Sequence, residues 1–390
     1  MIKNTFAIII FLLGIETLIL SISSHPKFKK YFKFIPAVFW IYFLPMLCSS
    51  LGLIDSKNGI YQIISYFLLP PALALLLLSS DIRSILKLEK QALIMMFAGS
   101  FGIMIATPLV FALVKQWVGS GFWAGFGALS ASWIGGSSNM IAVKEALGTP
   151  DAVFTPMVIV DTIVPYAWMG VLVALVALQP FYDKWNRSNR EIIAMLASRA
   201  SKLENNKEKK FSLQKIGLIF VLALLTGIFA IYAANKLPAI KNIITSYTWA
   251  IIIVSISGIL LSLTPAKKLE RYGSEKIGYF ILYFVLTSIG ARSNISHIND
   301  TIILIAAGFL IVILHAGILL LVSRLIRAPM FLAVVSSQAN IGGVASAPII
   351  AAIYEPGLAS VGLLLAILGN ILGTYFGIIT GQLCFFFAQH

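Results

Sequence analysis

Three sets of residues in this chain have types and spacings that could do chemistry. Two are short glycine breaks set in apolar text, one in each half. They read Ile134-Gly135-Gly136-Ser137-Ser138-Asn139 and Ile341-Gly342-Gly343-Val344-Ala345-Ser346, with Gln338 and Asn340 just before the second. In hydrocarbon, a broken helix frees N–H and C=O groups, which persist only where protein or a water-filled cavity satisfies them. Hydroxyl and amide oxygens beside unwound carbonyls suit a hard cation such as Na⁺, and half-helix N-termini suit an anionic group. Paired breaks at matching places in two halves point to a binding site. The competing reading is close helix packing through small residues, with no ligand. Amides gather at both breaks beside the small residues, which favours a site.

The third set is Asp161 and its counterpart Asn370. Asp161 lies inside an apolar segment, nine residues beyond Ala152. An acid in a membrane is costly and is read first as functional. Here it is expected to be a Na⁺ ligand or a proton carrier, the alternative being a cap on a nearby break. Asp161-Thr162-Ile163-Val164-Pro165-Tyr166 aligns with Asn370-Ile371-Leu372-Gly373-Thr374-Tyr375. Asn370 therefore offers a neutral oxygen where Asp161 offers a charged one. Glu16 is the other acid deep in an apolar run, and a structural role or a dimer contact is expected of it. His315 is expected to be hydrogen-bonded to a neighbour rather than to relay protons. Arg292 could bind a carboxylate, but is expected to be a boundary charge that snorkels to the interface.

The elements that must position these residues are set by composition. The chain has 390 residues, of which 59% are hydrophobic and 11% charged, against about 25% charged in soluble domains. That describes a polytopic membrane protein. No phosphate-binding glycine loop occurs, which argues against ATP-driven transport. No His/Asp/Glu cluster or nucleophile–base pair suggests an enzyme or a cofactor. The two cysteines, Cys48 and Cys384, have no metal or disulfide spacing. The net charge of +14 sits in loops between apolar segments, as orientation in a bilayer requires. Lipid is thus the expected partner, along with a small solute or ion, and nucleic acid is not. The run Thr5 to Ile22 leads into Lys27, Lys29, Lys30 and Lys33 without a cleavage site, so it reads as the first membrane helix.

Twelve apolar segments can be marked: 4–24, 34–54, 60–80, 91–114, 121–147, 152–178, 213–235, 243–264, 276–296, 299–326, 329–354 and 358–387. They predict a first membrane repeat over 1–180, a basic cytoplasmic linker over 181–212 and a second repeat over 213–390. Parity then decides the topology. If all twelve segments cross, the most basic loop, 179–212, faces away from loops 25–33 and 81–90. If 121–147 and 329–354 instead re-enter, the repeats become inverted, and 22 Lys and Arg fall on one side against 7 on the other. The second topology obeys the positive-inside rule. The expected fold is an all-α polytopic membrane protein of two inverted repeats. It has about ten crossings plus two re-entrant or unwound Gly-Gly helices.

Ser132-Trp133-Ile134-Gly135-Gly136-Ser137-Ser138-Asn139-Met140 and Ser337-Gln338-Ala339-Asn340-Ile341-Gly342-Gly343 resemble the YjcL-like family of bacterial and plastid membrane proteins. That family looks related to a superfamily of secondary transporters that includes sodium/proton antiporters, bile-acid/sodium symporters and 2-hydroxycarboxylate symporters. The resemblance implies inverted repeats, broken helices meeting at mid-membrane, and coupling to Na⁺ or H⁺. The expected function is cation-coupled transport of a small solute, an organic anion being one class, in a bacterial cytoplasmic membrane. A sodium/proton antiporter using Asp161 is the alternative, a channel the second alternative, and a homodimer the expected assembly if the chain is not monomeric.

Overall fold

The computed structural model describes residues 1–28, 31–33, 35–203, 211–240, 244–293, 301–355 and 357–390. Lys29, Lys30, Lys207, Lys209, Lys210, Lys241 and the segment Asn294–Ser296 therefore lie outside the described residues. Helices account for most of the described residues, and no strand occurs among them beyond two isolated β-bridges, Ile2 with Ile54 and Ile240 with Ile244.

In chain order the helices are α1 (Thr5–Ser24), α2 (Ala37–Ser50), α3 (Ile60–Leu78), α4 (Ile82–Ile85), α5 (Lys90–Val118) and α6 (Trp123–Gly135). Then come α7 (Ser137–Ala146), α8 (Asp151–Ala174), α9 (Gln179–Asn186), α10 (Glu191–Leu203) and α11 (Leu213–Ala234). The last are α12 (Ser246–Ser262), α13 (Ser274–Arg292), α14 (Thr301–Ile326), α15 (Met330–Ile341), α16 (Gly343–Tyr354) and α17 (Ala359–Gln389). Among the described residues, seven spans are long and apolar enough to cross a membrane: α1, α3, α5, α8 with its continuation to Asn186, α11, α14 and α17; α12 with the bent turn Pro265–Tyr272 would make an eighth. The apolar runs set these lengths and local chemistry sets their ends. The Asn4 side chain accepts from Ala7 N–H at 3.1 Å to start α1, and Thr245 with Thr248 forms a capping box on α12. Gly119, at φ 93°, ends α5. The stretch expected to be a linker is helical over α9 and α10.

The helices form two compact units, each drawing on both halves of the sequence. The first comprises Met1–Ser79, Lys144–Thr162 and Lys209–Ile302. Within it α3 is central and is packed by α11, α12 and α13, with α2 and α1 packed on α13. Glycine makes this approach close. A Cβ at Gly227 would lie 2.7 Å from Pro71 Cδ, and one at Gly258 would lie 2.9 Å from Leu77 Cβ.

The second unit comprises Ser80–Val143, Ile163–Glu208 and Ile303–His390. Its frame is α5 and α17, 29 and 31 residues long, each about 45 Å at 1.5 Å per residue. Lys115 Nζ donates to Phe387 O at 2.6 Å, so both helices finish at one end of this unit, here the far end. At the near end, Gln91 Nε2 donates to Ile326 O at 3.0 Å, joining the start of α5 to the finish of α14. The residues that would bind at a glycine break all belong to this unit.

Candidate functional site

Helices α6 and α7 form a hairpin. α6 starts at the far end, where the Trp123 and Phe385 rings lie 4.8 Å apart, and runs back along α17. A Cβ on Gly377 would sit 2.9 Å from Ala131 Cα and 3.1 Å from Val143 Cγ2. Residues 131 and 143 therefore flank the same point, although a continuous helix would hold them about 18 Å apart. The chain reverses at Gly136, whose φ of 82° and ψ of 175° end α6. An L side chain is strained there.

α17 receives this hairpin along Gly369, Gly373 and Gly377, which share one helix face at intervals of four. A Cβ on Gly373 would lie 2.7 Å from Gly135 Cα, and one on Gly369 would overlap Ile134 O. Such small-residue spacing lets two backbones approach directly. Asn139 then ties the tip together. Its Nδ2 donates to Gly135 O and, at 3.1 Å, to Asn370 O, while its Oδ1 accepts from Thr374 Oγ1. Ser137 and Ser138, half-buried in the first turn of α7, are not consumed in this way. Asn370 Oδ1 lies 3.5 Å from the Cβ position of Gly136. Gly135, Gly136, Ser137, Ser138, Asn139 and Asn370 thus meet at one tip.

Helices α15 and α16 form a second hairpin, entering from the near end. Met330 N–H, in the first residue of α15, donates to Asp183 Oδ1 at 2.8 Å. Arg190 lies 3.7 Å from the other Asp183 oxygen and 3.2 Å from Glu355, one residue past α16. The two mouths of this hairpin are therefore bracketed by one arginine, where a straight helix would separate them by about 37 Å. The break falls at Gly342 and Gly343, and Gly343 has φ 61°. A Cβ on Gly342 would run into Gln338 Nε2 and Ser346 Oγ, which are hydrogen-bonded across it at 2.6 Å. Asn340 is a strut like Asn139. Its Oδ1 accepts from Ser100 Oγ at 2.8 Å and its Nδ2 donates to Ser336 O at 2.9 Å. Gln338 Oε1 and Ser336 Oγ are buried without a hydrogen-bond partner among the described residues.

The two tips converge on one side chain. Met96 Cε lies 3.0 Å from the Cβ position of Gly369, beside Ile134 O of the first tip. Met96 Sδ lies 3.4 Å from Asn340 Nδ2 of the second. Neither 123–143 nor 330–354 contains a charged residue. Electrostatics at the tips are therefore those of amides, hydroxyls, free carbonyls and helix termini.

His315 is spent on structure. Nδ1 lies 2.9 Å from Gly99 O and Nε2 lies 3.0 Å from Ser337 Oγ, which also accepts from Trp168 Nε1 at 3.0 Å. A carbonyl can only accept, so the proton sits on Nδ1 and Nε2 accepts from the serine. The hydrogen-bonded reading of His315 holds. Asp161 lies on the part of α8 that belongs to the first unit, half-buried and not free of partners. The candidate residues are thus divided, eleven in the second unit and Asp161 in the first.

Arg292 corrects its sequence reading. Instead of snorkelling, it is 14% exposed and pairs with Glu145 at 2.5 Å and Asp151 at 3.0 Å. Lys144 completes the cluster at 3.1 Å from Glu145 and 2.9 Å from Asp151. Two cations and two anions balance inside the first unit. The sequence holds a signal for this, because Lys144, Glu145 and Asp151 are charges flanking an apolar hairpin.

A family model described as "Protein of unknown function (DUF819)" matches residues 10–387. The chain is similar to "Uncharacterized membrane protein YjcL" of Bacillus subtilis (strain 168). The two are 24% identical over 350 residues, covering 86% of this chain and 87% of that protein. The resemblance to YjcL-like proteins is therefore borne out. A match running from the first helix to the last, through both hairpins, makes this chain a member of the DUF819 family.

Proposed function

We propose that the protein is a cation-coupled secondary transporter of a small solute, and that organic anions are the class to test first. The observation that carries this reading is the pair of opposed hairpins. They enter the second unit from opposite ends and bring broken, uncharged tips to Met96 and Gly369. Broken backbone at such depth needs protein or a polar cavity around it. The first turns of α7 and α16 supply N–H groups and partial positive charge to an anionic group. The Gln338 Oε1 acceptor and the freed carbonyls suit a cation. Neither tip carries a titratable side chain, which favours Na⁺ over H⁺ there. Proton exchange would fall to a carboxyl elsewhere, and Asp161 is the residue for that second reading.

The test uses purified protein in liposomes, with a panel of small carboxylates and an imposed Na⁺ or H⁺ gradient. Saturable uptake that follows the Na⁺ gradient is expected. Gly342→Ala should abolish it, because the new methyl occupies the space of the Gln338–Ser346 bond. Gly14→Ala should not, since nothing lies within 4 Å of that position. Asp161→Asn keeps size and removes one charge. Loss of uptake with Na⁺ binding retained would move the coupling role to Asp161. Flux without saturation or gradient dependence would make the protein a channel.

A further inference from the structure

Within the first unit, α1 buries Ile8, Leu12, Glu16 and Ile19. The spacing of four, four and three is a single helical stripe, and Glu16 occupies a core position in it. Its side chain is 0% exposed, so the protein itself encloses it. Phe6, Ile10 and Leu18, on the other face, are 71%, 54% and 57% exposed. Glu16 therefore does not lie on a surface open to a second copy. Nor does Glu16 anchor a hydrogen-bond network, because both carboxyl oxygens lack a hydrogen-bond donor among the described residues.

An ionised carboxylate enclosed without a donor or a cation would be held at a cost of several kcal/mol or more. The neighbouring groups do not relieve it. α2 and α13 pack against α1. On α2 the titratable groups are Tyr42, bonded to Thr155 and Ser293, and Cys48. On α13 they are Glu275, Lys276, Tyr279, Tyr283 and Arg292. Tyr283 lies within electrostatic range of Glu16. Arg292 is committed to Glu145 and Asp151. Lys276 is seven residues from Tyr283 along α13, about 10 Å toward the helix start. A metal ion is no better supported, since the described residues contain no group of three or more His, Cys, Asp or Glu side chains that could hold one.

We infer that Glu16 is a proton-binding site in the first unit, a carboxyl that holds an exchangeable proton at neutral pH. A proton neutralises the group without needing a cavity or further ligands. This inference does not depend on what the hairpin tips bind.

Infrared spectroscopy of the whole protein in liposomes tests it. At neutral pH a protonated-carboxyl C=O band is expected, absent in Glu16→Gln and in Glu16→Leu. Both variants should fold, because one copies the neutral acid and the other completes the apolar stripe. The band should shift on transfer to D₂O. Dicyclohexylcarbodiimide, which reacts with protonated carboxyls in apolar surroundings, should form an N-acylurea on Glu16. Labelling should fall about tenfold per pH unit once the group ionises. A missing band, or one unchanged in both variants, overturns the assignment. A band that never shifts in D₂O shows a locked proton and overturns the binding site.

Discussion

Asn139 and Asn340 do the same work on the two hairpins. Each sits within four residues of a break and spends its amide on backbone or side-chain partners far away in sequence. Asn139 reaches Asn370 O and Thr374, and Asn340 reaches Ser100. Asn139 also bonds Gly135 O, a carbonyl at the end of α6, as broken backbone out of water requires, while Asn340 ties α15 to α5. Asn139→Ala would leave Gly135 O, Asn370 O and the Thr374 hydroxyl without it. A loss of about 2 kcal/mol is expected from stranding such buried groups. Thermal unfolding in detergent should show it as a lower midpoint than Ser138→Ala gives. Equal midpoints would make Asn139 a ligand rather than a strut. The sequence places both asparagines at a site, yet it cannot separate strut from ligand. That depends on partners more than two hundred residues away. Ser137, Ser138, Asn370 and the Gln338 carbonyl are the members left with bonding capacity.

At the scale of elements, the glycines of α17 matter as much as those of the breaks. Gly369, Gly373 and Gly377 let α6 lie backbone to backbone on α17, and Ala131 and Val143 of the two hairpin arms meet Gly377. Gly373→Leu would drive a side chain into Gly135 and Asn139. Overpacking of this kind costs about 1–3 kcal/mol, and here it acts on the tip itself. The variant should therefore lose solute binding while α3 and its neighbours in the first unit keep their protection in hydrogen exchange. Unchanged protection around residues 131–143 would show that the helix spacing is not set by this stripe. The interval of four was visible in the sequence, but Asn370–Tyr375 was read there only as a counterpart to Asp161–Tyr166. The four-charge cluster was hidden for a related reason. Net charge counts say where cations fall along the chain, whereas pairing of Arg292 with Glu145 and Asp151 depends on how α13 meets the start of α8.

For the whole molecule, charge parity and backbone reversal are independent lines that agree. The twelve apolar segments match helices or hairpins closely, because hydropathy alone fixes where backbone can be buried in lipid. What hydropathy could not fix was whether 121–147 and 329–354 crossed. Positive-inside bookkeeping favoured re-entry, and the second unit has both segments doubling back, one from each end. A membrane topology follows that cysteine labelling in intact cells can check. Substitutions at Gly119 and Gly148, on either side of the first hairpin, should react with an impermeant maleimide from outside. Those at Arg327 and Gly357, flanking the second, should react only after permeabilisation, because the positive-inside rule assigns the basic loops to the cytoplasm. Both substitutions of a pair must behave alike, because a hairpin returns to the side it entered. If Gly119 labels from outside and Gly148 only from within, the first segment crosses the bilayer, and the charge asymmetry must arise from another arrangement of spans.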